Sequence, residues 1–524
     1  MLVYGDHRET CDPRERIDEI GGELEIIRRM PPGLERHSCL VAALVETGRL
    51  VQGLADAHAS TDELNFFLCR LARSVVRSHD TRFSDMGEPP PVPPGDLPQQ
   101  VDLTVPEGFA YYAVYPEAYA DAARRLKLVA PPRVIGIRSI GTTLGAVVAA
   151  ALDAPAPISV RPFGDPFARQ VELPAEVAEG DVHYVIVDEG PGLSGSSFGS
   201  VADWLQQRGV PLEQIAFLPS HGGDLGSRAS DAHRERWRRA QRVAAEFDAG
   251  FLFEVFGPLK EFSTGSPWER RKFLAMHLGR PVLLKFAGLG RIGAQKLEIA
   301  HSLFADGLVP APLGLMHGFI VERWHEDATA LGDREVPVAK IARYIAARLR
   351  LPPAAPGSGA SIGELLEMTM RNATLELGEH TASALNWWKE HVDDLERRVF
   401  RIPTDNKLDR AEWLRTGAGA LIKTDALDHH CGHDLIGCQD VAWDLAGAIV
   451  EFDLDHVSAG ELVRSANLEV DRELLHFCLV AYPAFRLGRA RLGGEKVAAE
   501  RYAARLRRLL ELTKSAKPLE SLVD

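Results

Sequence analysis

Between residues 133 and 218 short apolar runs alternate with helical stretches, and this alternation most restricts the folds open to the chain. Residues 133–137 (RVIGI), 184–187 (YVIV) and 215–218 (IAFL) read as strands, and 143–152 and 199–208 as helices. Unbroken apolar runs of this length suit strands buried on both faces. Parallel strands also need long crossovers, which the intervening helices supply. The pattern predicts an α/β fold with a parallel sheet, its functional loops at the carboxyl ends of the strands.

At 524 residues the chain is long enough for about three domains. Residues 1–99 read as a helical N-terminal segment, with Leu40, Ala43, Leu44 and Leu64, Phe67, Leu68 at helical spacing, closed by the proline-rich connector 88–98. Residues 100–261 form the α/β unit. In 262–524, strands at 262–330 give way to helices at 331–524, apart from the loop 351–360. The net charge of −14 repels phosphate backbones and argues against general nucleic-acid binding. No apolar run approaches the roughly 18 residues of a membrane helix, and the N-terminus lacks the apolar stretch of a secretory signal. The six cysteines are too scattered for a disulfide scaffold, so a reduced, cytoplasmic protein without a membrane partner is expected. No motif speaks to an oligomeric state.

Two segments carry chemistry. In 185–197 (VIVDEGPGLSGSS) a strand ends in two acids, Asp188 and Glu189, followed by a Gly/Pro turn and then Ser194, Gly195, Ser196 and Ser197 at a helix start. Small residues let backbone N–H groups approach a phosphate, and the helix N-terminus adds partial positive charge. Hydroxyls add donors, and carboxylates accept from sugar hydroxyls. Residues 136–143 (GIRSIGTT) form a second Gly-bounded loop between a strand and a helix, with Arg138, Ser139 and Gly141. Arg161 and Arg169 lie between the two loops and could neutralise an anion. The bland alternative is a pair of strand-to-helix turns that bind nothing.

Together these segments resemble the PRPP-binding motif of type I phosphoribosyltransferases, although the stretch through residues 190–192 is one residue longer than that family's. The resemblance covers about residues 105–260. It implies Mg²⁺ and PRPP as cofactor and co-substrate, with Asp188 and Glu189 catalytic on the ribose hydroxyls. It places the 5′-phosphate on residues 194–197 and pyrophosphate on Arg138, Ser139 and Gly141, under a flap bearing Arg161 and Arg169. Transfer to a nucleobase-like acceptor, or its reversal by pyrophosphate, is the activity implied.

The second half contains a literal GxGxxG at 288–293, between a strand and a helix. A dinucleotide fold is not favoured, because no strand ending in an acid follows about 20 residues later. Lys285 instead sits on the second strand of a hairpin (271–277 with 282–286), Glu298 on the next helix, and 319–324 would form a hinge strand. Downstream, Asp425, His430, Asp434 and Asp444 follow in a cluster rich in acids and histidines. This arrangement resembles the aminoglycoside/choline kinase-like group, over about residues 262–515. The resemblance implies ATP phosphates held by Lys285 and Glu298, Asp425 as catalytic base, and His430 and Asp434 as metal ligands. The sequence departs from that group in having Lys423 and Thr424 before Asp425, and His430 for the usual Asn. The expectation is an enzyme of nucleotide-like metabolite synthesis or salvage, a phosphoribosyltransferase joined to a bilobal kinase-like domain. The rivals are a regulator that senses PRPP or nucleotides without turnover, and a metal-dependent phosphohydrolase in the second half.

Overall fold

The computed structural model describes residues 8–93, 97–263, 269–332, 335–354, 357–432 and 436–515. A parallel sheet is present where the alternation predicts it. Strands Ile158–Val160, Pro132–Ile137, His183–Val187, Ile215–Leu218 and Gln241–Arg242 lie side by side in that order, every pair parallel. Helices Gly141–Ala151 and Ser196–Gln206 follow the first and third of these strands in chain order, beginning two to three residues before the expected starts. Alternate residues face opposite sides, as the two-residue period of a strand requires. Ile135, Tyr184, Ile186 and Phe217 pack with Phe198, Leu205 and Trp237. Val134, Val185, Val187 and Leu218 pack with Leu144 and Val148 on the other face.

That second face is not covered by one helix layer alone. Helices Leu34–Asp56 and Asp62–Asp80 pack over Gly141–Ala151, so the N-terminal segment belongs to the same core. Strand Arg8–Cys11 pairs antiparallel with Val101–Thr104 and ties the two ends of this segment together. The proline-rich stretch is not a free spacer. Pro89 and Pro90 are buried, and Arg28 on helix Pro13–Arg29 donates to the Pro89 carbonyl at 3.1 Å. Helix Leu34–Asp56 also corrects an expectation, because it is long enough and apolar enough (hydropathy 1.2) to cross a membrane by composition. Of that apolar window, 78% is buried inside the protein, as a core helix requires.

The hairpin of the second half is also present, Lys272–His277 with Arg280–Phe286. Its turn places Leu278 and Gly279 at positive φ, the backbone of a tight two-residue hairpin loop. The antiparallel sheet runs Lys260–Glu261, Lys272–His277, Arg280–Phe286, Phe319–Arg323, Pro312–Met316. One face (Phe273, Val282, Leu284, Phe286, Phe319, Val321) joins the core shared by the N-terminal helices and the parallel sheet. The other face, with Lys272, Leu283, Lys285 and Glu322, borders a cleft. The glycines of 288–293 serve packing, since a Cβ on Gly290 would press on Ala42 of helix Leu34–Asp56. Helices Val338–Arg348, Ile362–Leu377, Val441–Glu451 and Arg472–Leu492 build a separate core around Trp388, Trp413, Trp443 and Tyr482. A small sheet, Thr329–Ala330, Trp413–Arg415 and Leu421–Lys423, interrupts the helices.

Gly48 marks the closest approach of two helices. A Cβ there would lie 1.8 Å from Thr143 Oγ1 and 2.9 Å from Thr143 Cβ. Alanine gains up to about 1 kcal/mol of helix propensity, against a cost of about 1–3 kcal/mol for overpacking. Gly48→Ala is therefore expected to lower the urea unfolding midpoint; an unchanged or higher midpoint would contradict this packing.

Candidate functional site

Two sites emerge. The first lies at the carboxyl end of the parallel sheet. Strand Pro132–Ile137 is the first of that sheet in sequence, yet it lies between the second and third. The helices that follow it and the adjacent strand His183–Val187 therefore lie on opposite faces of the sheet, which opens a crevice at this switch point. Residues 138–141 and 188–195 follow the two adjoining strands into that crevice. Gly141 permits a close approach, as a Cβ there would lie 2.6 Å from the Val187 carbonyl. Gly195, at φ 63°, turns the chain into helix Ser196–Gln206.

The predicted side chains of this site are largely engaged by the protein. Ser196 Oγ donates to the Pro166 carbonyl at 2.8 Å, and Ser194 Oγ donates to Ser196 Oγ at 2.9 Å. Pro166 is the tip of a hairpin, Phe163–Asp165 with Ala168–Gln170, whose second strand carries Arg169. Ser197 is half-buried at the helix start. Arg138 and Arg161 converge on Asp56 at the end of helix Leu34–Asp56, a partner the sequence reading missed. The Arg138–Ser139 peptide is cis. Burial raises the Asp188 carboxyl to about 7, although the Glu189 N–H donates to it at 2.8 Å. Burial and then the Asp188 charge raise Glu189 to about 8.

The second site is a cleft of about 680 Å³ between the antiparallel sheet and the helical half. Lys285, on strand Arg280–Phe286, reaches across it to Asp425 and, at 3.4 Å, to Asp428. Burial alone would push its ammonium down; Asp425 and Asp428 outweigh burial and raise it. Burial likewise disfavours ionised Asp425 and Asp428, but Lys285 keeps both below the usual carboxylate range. Arg270 Nε approaches Asp428 at 3.5 Å. His429 bridges Asp425 (3.3 Å) and Asp405 (3.1 Å). Burial lowers it, but Asp425 and the hydrogen bonds leave it at about 9, so it is a cation at neutral pH.

The structure revises three expected roles here. Glu298 does not pair with Lys285. It faces solvent, because Lys296, Ile299, Ala300 and Leu303 form the buried stripe of helix Arg291–Ala305. His430 does not border the cleft; it is half-buried, and desolvation with neighbouring Arg348 and Lys296 lowers it to about 3. Asp434 lies outside the described residues. Asp425 does border the cleft, but bonded to an ammonium it is a weak base. Its carboxylate and that of Asp428 are hard oxygen donors, the type Mg²⁺ takes.

Sequence reading also missed residues 404–409. Asp405 is fully buried; it accepts from Tyr344 Oη (2.5 Å), His429 and the Lys407 N–H, and it lies 3.3 Å from the Lys423 ammonium. Asp444, on helix Val441–Glu451, clamps this turn by accepting the N–H groups of Asp405 (2.8 Å) and Asn406 (2.9 Å). The turn delivers Lys407 and Asp409 to the cleft. The signal available in the sequence was the run TDNKLD ahead of a short strand pair.

No known protein family matches the sequence, and no curated protein matches it. Solved structures are similar over about half of the chain. Choline kinase LicA from Streptococcus pneumoniae is 15% identical, with a TM-score of 0.36, over 51% of this chain and 98% of that one. A choline/ethanolamine kinase family protein from Mesorhizobium loti is 15% identical, with a TM-score of 0.35, over 49% and 89%. Aminoglycoside phosphotransferase APH(4)-Ia, as a thermostable mutant, is 13% identical, with a TM-score of 0.34, over 51% and 100%. Likeness at this level assigns no residue a role, and it lends no support to PRPP binding.

Two measurements test these geometries. Lys285→Met leaves Asp428 buried without its ammonium, so a stability loss of about 3–5 kcal/mol is expected. Adding Asp425→Asn and Asp428→Asn should recover part of it, and equal losses in both backgrounds would contradict the pairing. For Glu189 the folded carboxyl titrates near 8 rather than 4.5. The folded state then holds this proton more tightly, so ionisation costs stability as pH rises between those values. Glu189→Gln carries no such cost. It should match the parent near pH 4.5 and exceed it near pH 8, by on the order of 2 kcal/mol. Melting curves across that range check the sign.

Proposed function

We propose that the interlobe cleft binds the phosphates of a nucleotide, and that the chain is an ATP-dependent phosphotransferase acting on a small molecule. The observation that carries this reading is Lys285 held against Asp425 and Asp428 on opposite walls of one cleft. A lysine on the sheet and two carboxylates on the facing lobe form the constellation that phosphoryl transfer needs, because its catalysis rests mainly on positioning and charge stabilisation. Asp425 and Asp428 would hold Mg²⁺, which neutralises phosphate charge when bound. Lys285, released from the carboxylates, would pair with the phosphates. Residues 319–324 border the cleft through Glu322, Arg323 and Trp324 and would flank the base. Asp409, part-exposed on the opposite wall and paired with Arg486 at 3.3 Å, would orient the acceptor hydroxyl. The buried turn at Asp405 is then a support for Lys407 and Asp409, not a base.

A second reading, PRPP-type chemistry at the parallel sheet, is favoured by one observation: loops 138–141 and 188–195 meet at the switch point. In that reading Asp188 and Glu189 hold ribose hydroxyls, residues 194–197 the 5′-phosphate, and Arg138, Ser139 and Gly141 the pyrophosphate, with Mg²⁺. Arg161 precedes the hairpin and Arg169 lies on its second strand, where they would face the pyrophosphate. Ligand would have to displace Pro166 from Ser196 and Asp56 from the arginines. In this division of labour residues 100–261 would carry the parallel-sheet site and 262–524 the cleft, with 1–99 packed against both.

Calorimetric titration with Mg²⁺·ATP, and separately with Mg²⁺·PRPP, tests both readings. ATP binding is expected to weaken at least tenfold in Lys285→Ala and in Asp425→Asn, about 1.4 kcal/mol. Binding indifferent to both substitutions would refute the cleft assignment. PRPP binding abolished by Asp188→Asn with Glu189→Gln would establish the second site, and absence of PRPP binding would remove it.

A further inference from the structure

Away from both sites, three buried side chains from three parts of the chain converge on one point. His37 comes from the first turn of helix Leu34–Asp56, Glu117 from the first turn of helix Pro116–Arg124, and His317 from the turn between strands Pro312–Met316 and Phe319–Arg323. All three are buried. His37 Nε2 lies 2.5 Å and His317 Nε2 3.0 Å from the same oxygen, Glu117 Oε1. The candidate ligand atoms all fall within 4.8 Å of one another. Glu117 Oε2 is sealed from solvent and has no hydrogen-bond partner among the described residues.

We propose that His37, Glu117 and His317 bind a divalent cation of the zinc type. A hydrogen-bonded triad alone accounts poorly for the carboxylate, since two imidazoles crowd one oxygen and the other is left buried without a donor, a costly state. A cation between the rings uses both oxygens. Two imidazole nitrogens and a bidentate carboxylate give four donor atoms, the number a closed zinc site takes, from the nitrogen and oxygen types zinc accepts. The ring centroids of His37 and His317 are 5.4 Å apart. Two imidazoles bound at about 2.0–2.1 Å in a tetrahedral arrangement have centroids about 5 Å apart.

The surroundings are those of a structural metal. Ser78 Oγ lies 2.9 Å from His37 Nδ1 and fixes that ring from behind, the outer-sphere support that ligating histidines usually have. Tyr115 Oη donates to the His317 carbonyl at 2.6 Å and fixes the turn that carries this ligand. Phe83, Tyr115 and Phe251 pack against the two rings, at centroid distances of 4.6, 5.0 and 5.1 Å. With aromatic walls and four donors from the chain, the ion has no open position for substrate. It joins the N-terminal helices, the entrance to the parallel sheet and the antiparallel sheet at one point.

The test uses the full chain, expressed with added Zn²⁺, desalted and analysed by elemental mass spectrometry. About one Zn²⁺ per chain is expected. The ion should persist in the variant carrying Asp425→Asn and Asp428→Asn and be lost in His317→Ala. Stripping the wild-type chain with a strong chelator should lower its melting temperature, and Zn²⁺ should restore it. Co²⁺ in place of Zn²⁺ should give visible bands of a four-coordinate site without a thiolate charge-transfer band. Three results would overturn the proposal: a metal-free chain whose melting ignores both ions, metal retained by His317→Ala, or a thiolate band. Should His317→Ala fail to fold, the cobalt spectrum and the melting response of the wild-type chain decide.

Discussion

One hydrophobic core runs through the N-terminal helices, one face of the parallel sheet and one face of the antiparallel sheet, and the rest of the molecule depends on it. Leu40, Leu44 and Leu71 share this core with Val185 and Val187 on one side and with Leu284 and Phe319 on the other. Apolar burial is roughly proportional to area and carries no direction, so a helix can cover two sheets at once. Helix Leu34–Asp56 does this, which is why it is apolar enough to satisfy a membrane criterion while lying buried inside the protein. The N-terminal segment is thus an internal layer, and its polar residues reach both neighbours. Asp56 holds Arg138 and Arg161, and His37 meets Glu117 and His317.

The shared core also sets the electrostatics of the cleft. With one face of the antiparallel sheet occupied by packing, alternation leaves Lys272, Lys285 and Glu322 on the other. Lys285 is buried and Glu322 half-buried, and away from water a charge persists only with a partner. Lys285 finds Asp425 and Asp428 and stays ionised. Burial raises Glu322 to about 7, against the opposing pull of Lys285. Asp188 and Glu189 show what happens with less compensation, since both are pushed toward the neutral form.

Much of the parallel sheet was legible because its signal is local. Four or five consecutive apolar residues between Gly-rich turns can scarcely be anything but buried strands, and residues 133–137, 184–187 and 215–218 are strands. The hairpin carrying Lys285 was legible for the same reason. The partner of Lys285 was not. The resemblance names Glu298 on the next helix, but the rotation of helix Arg291–Ala305 about its axis is decided by which stripe meets the core, and that stripe holds Lys296. Asp405 was missed because its meaning lies in contacts with Tyr344, Lys423, His429 and Asp444, which are 18 to 61 residues away in sequence. Asp56 and His37 escaped notice because an acid or a histidine on an apolar helix says nothing about what the helix will cover.

The sequence by itself determined the alternation of strands and helices, the two loops rich in glycine and hydroxyl groups, the lysine on a strand and the acids that follow it. These are consequences of backbone period, turn chemistry and side-chain type, which act over a few residues. Only the tertiary structure decided that the N-terminal helices and both sheets share one core, that Lys285 pairs with Asp425 and Asp428, and that His37, Glu117 and His317 meet. Those outcomes depend on which apolar faces find each other. Burial rewards area without regard to sequence separation, and buried charges then take whatever partners that packing brings within reach.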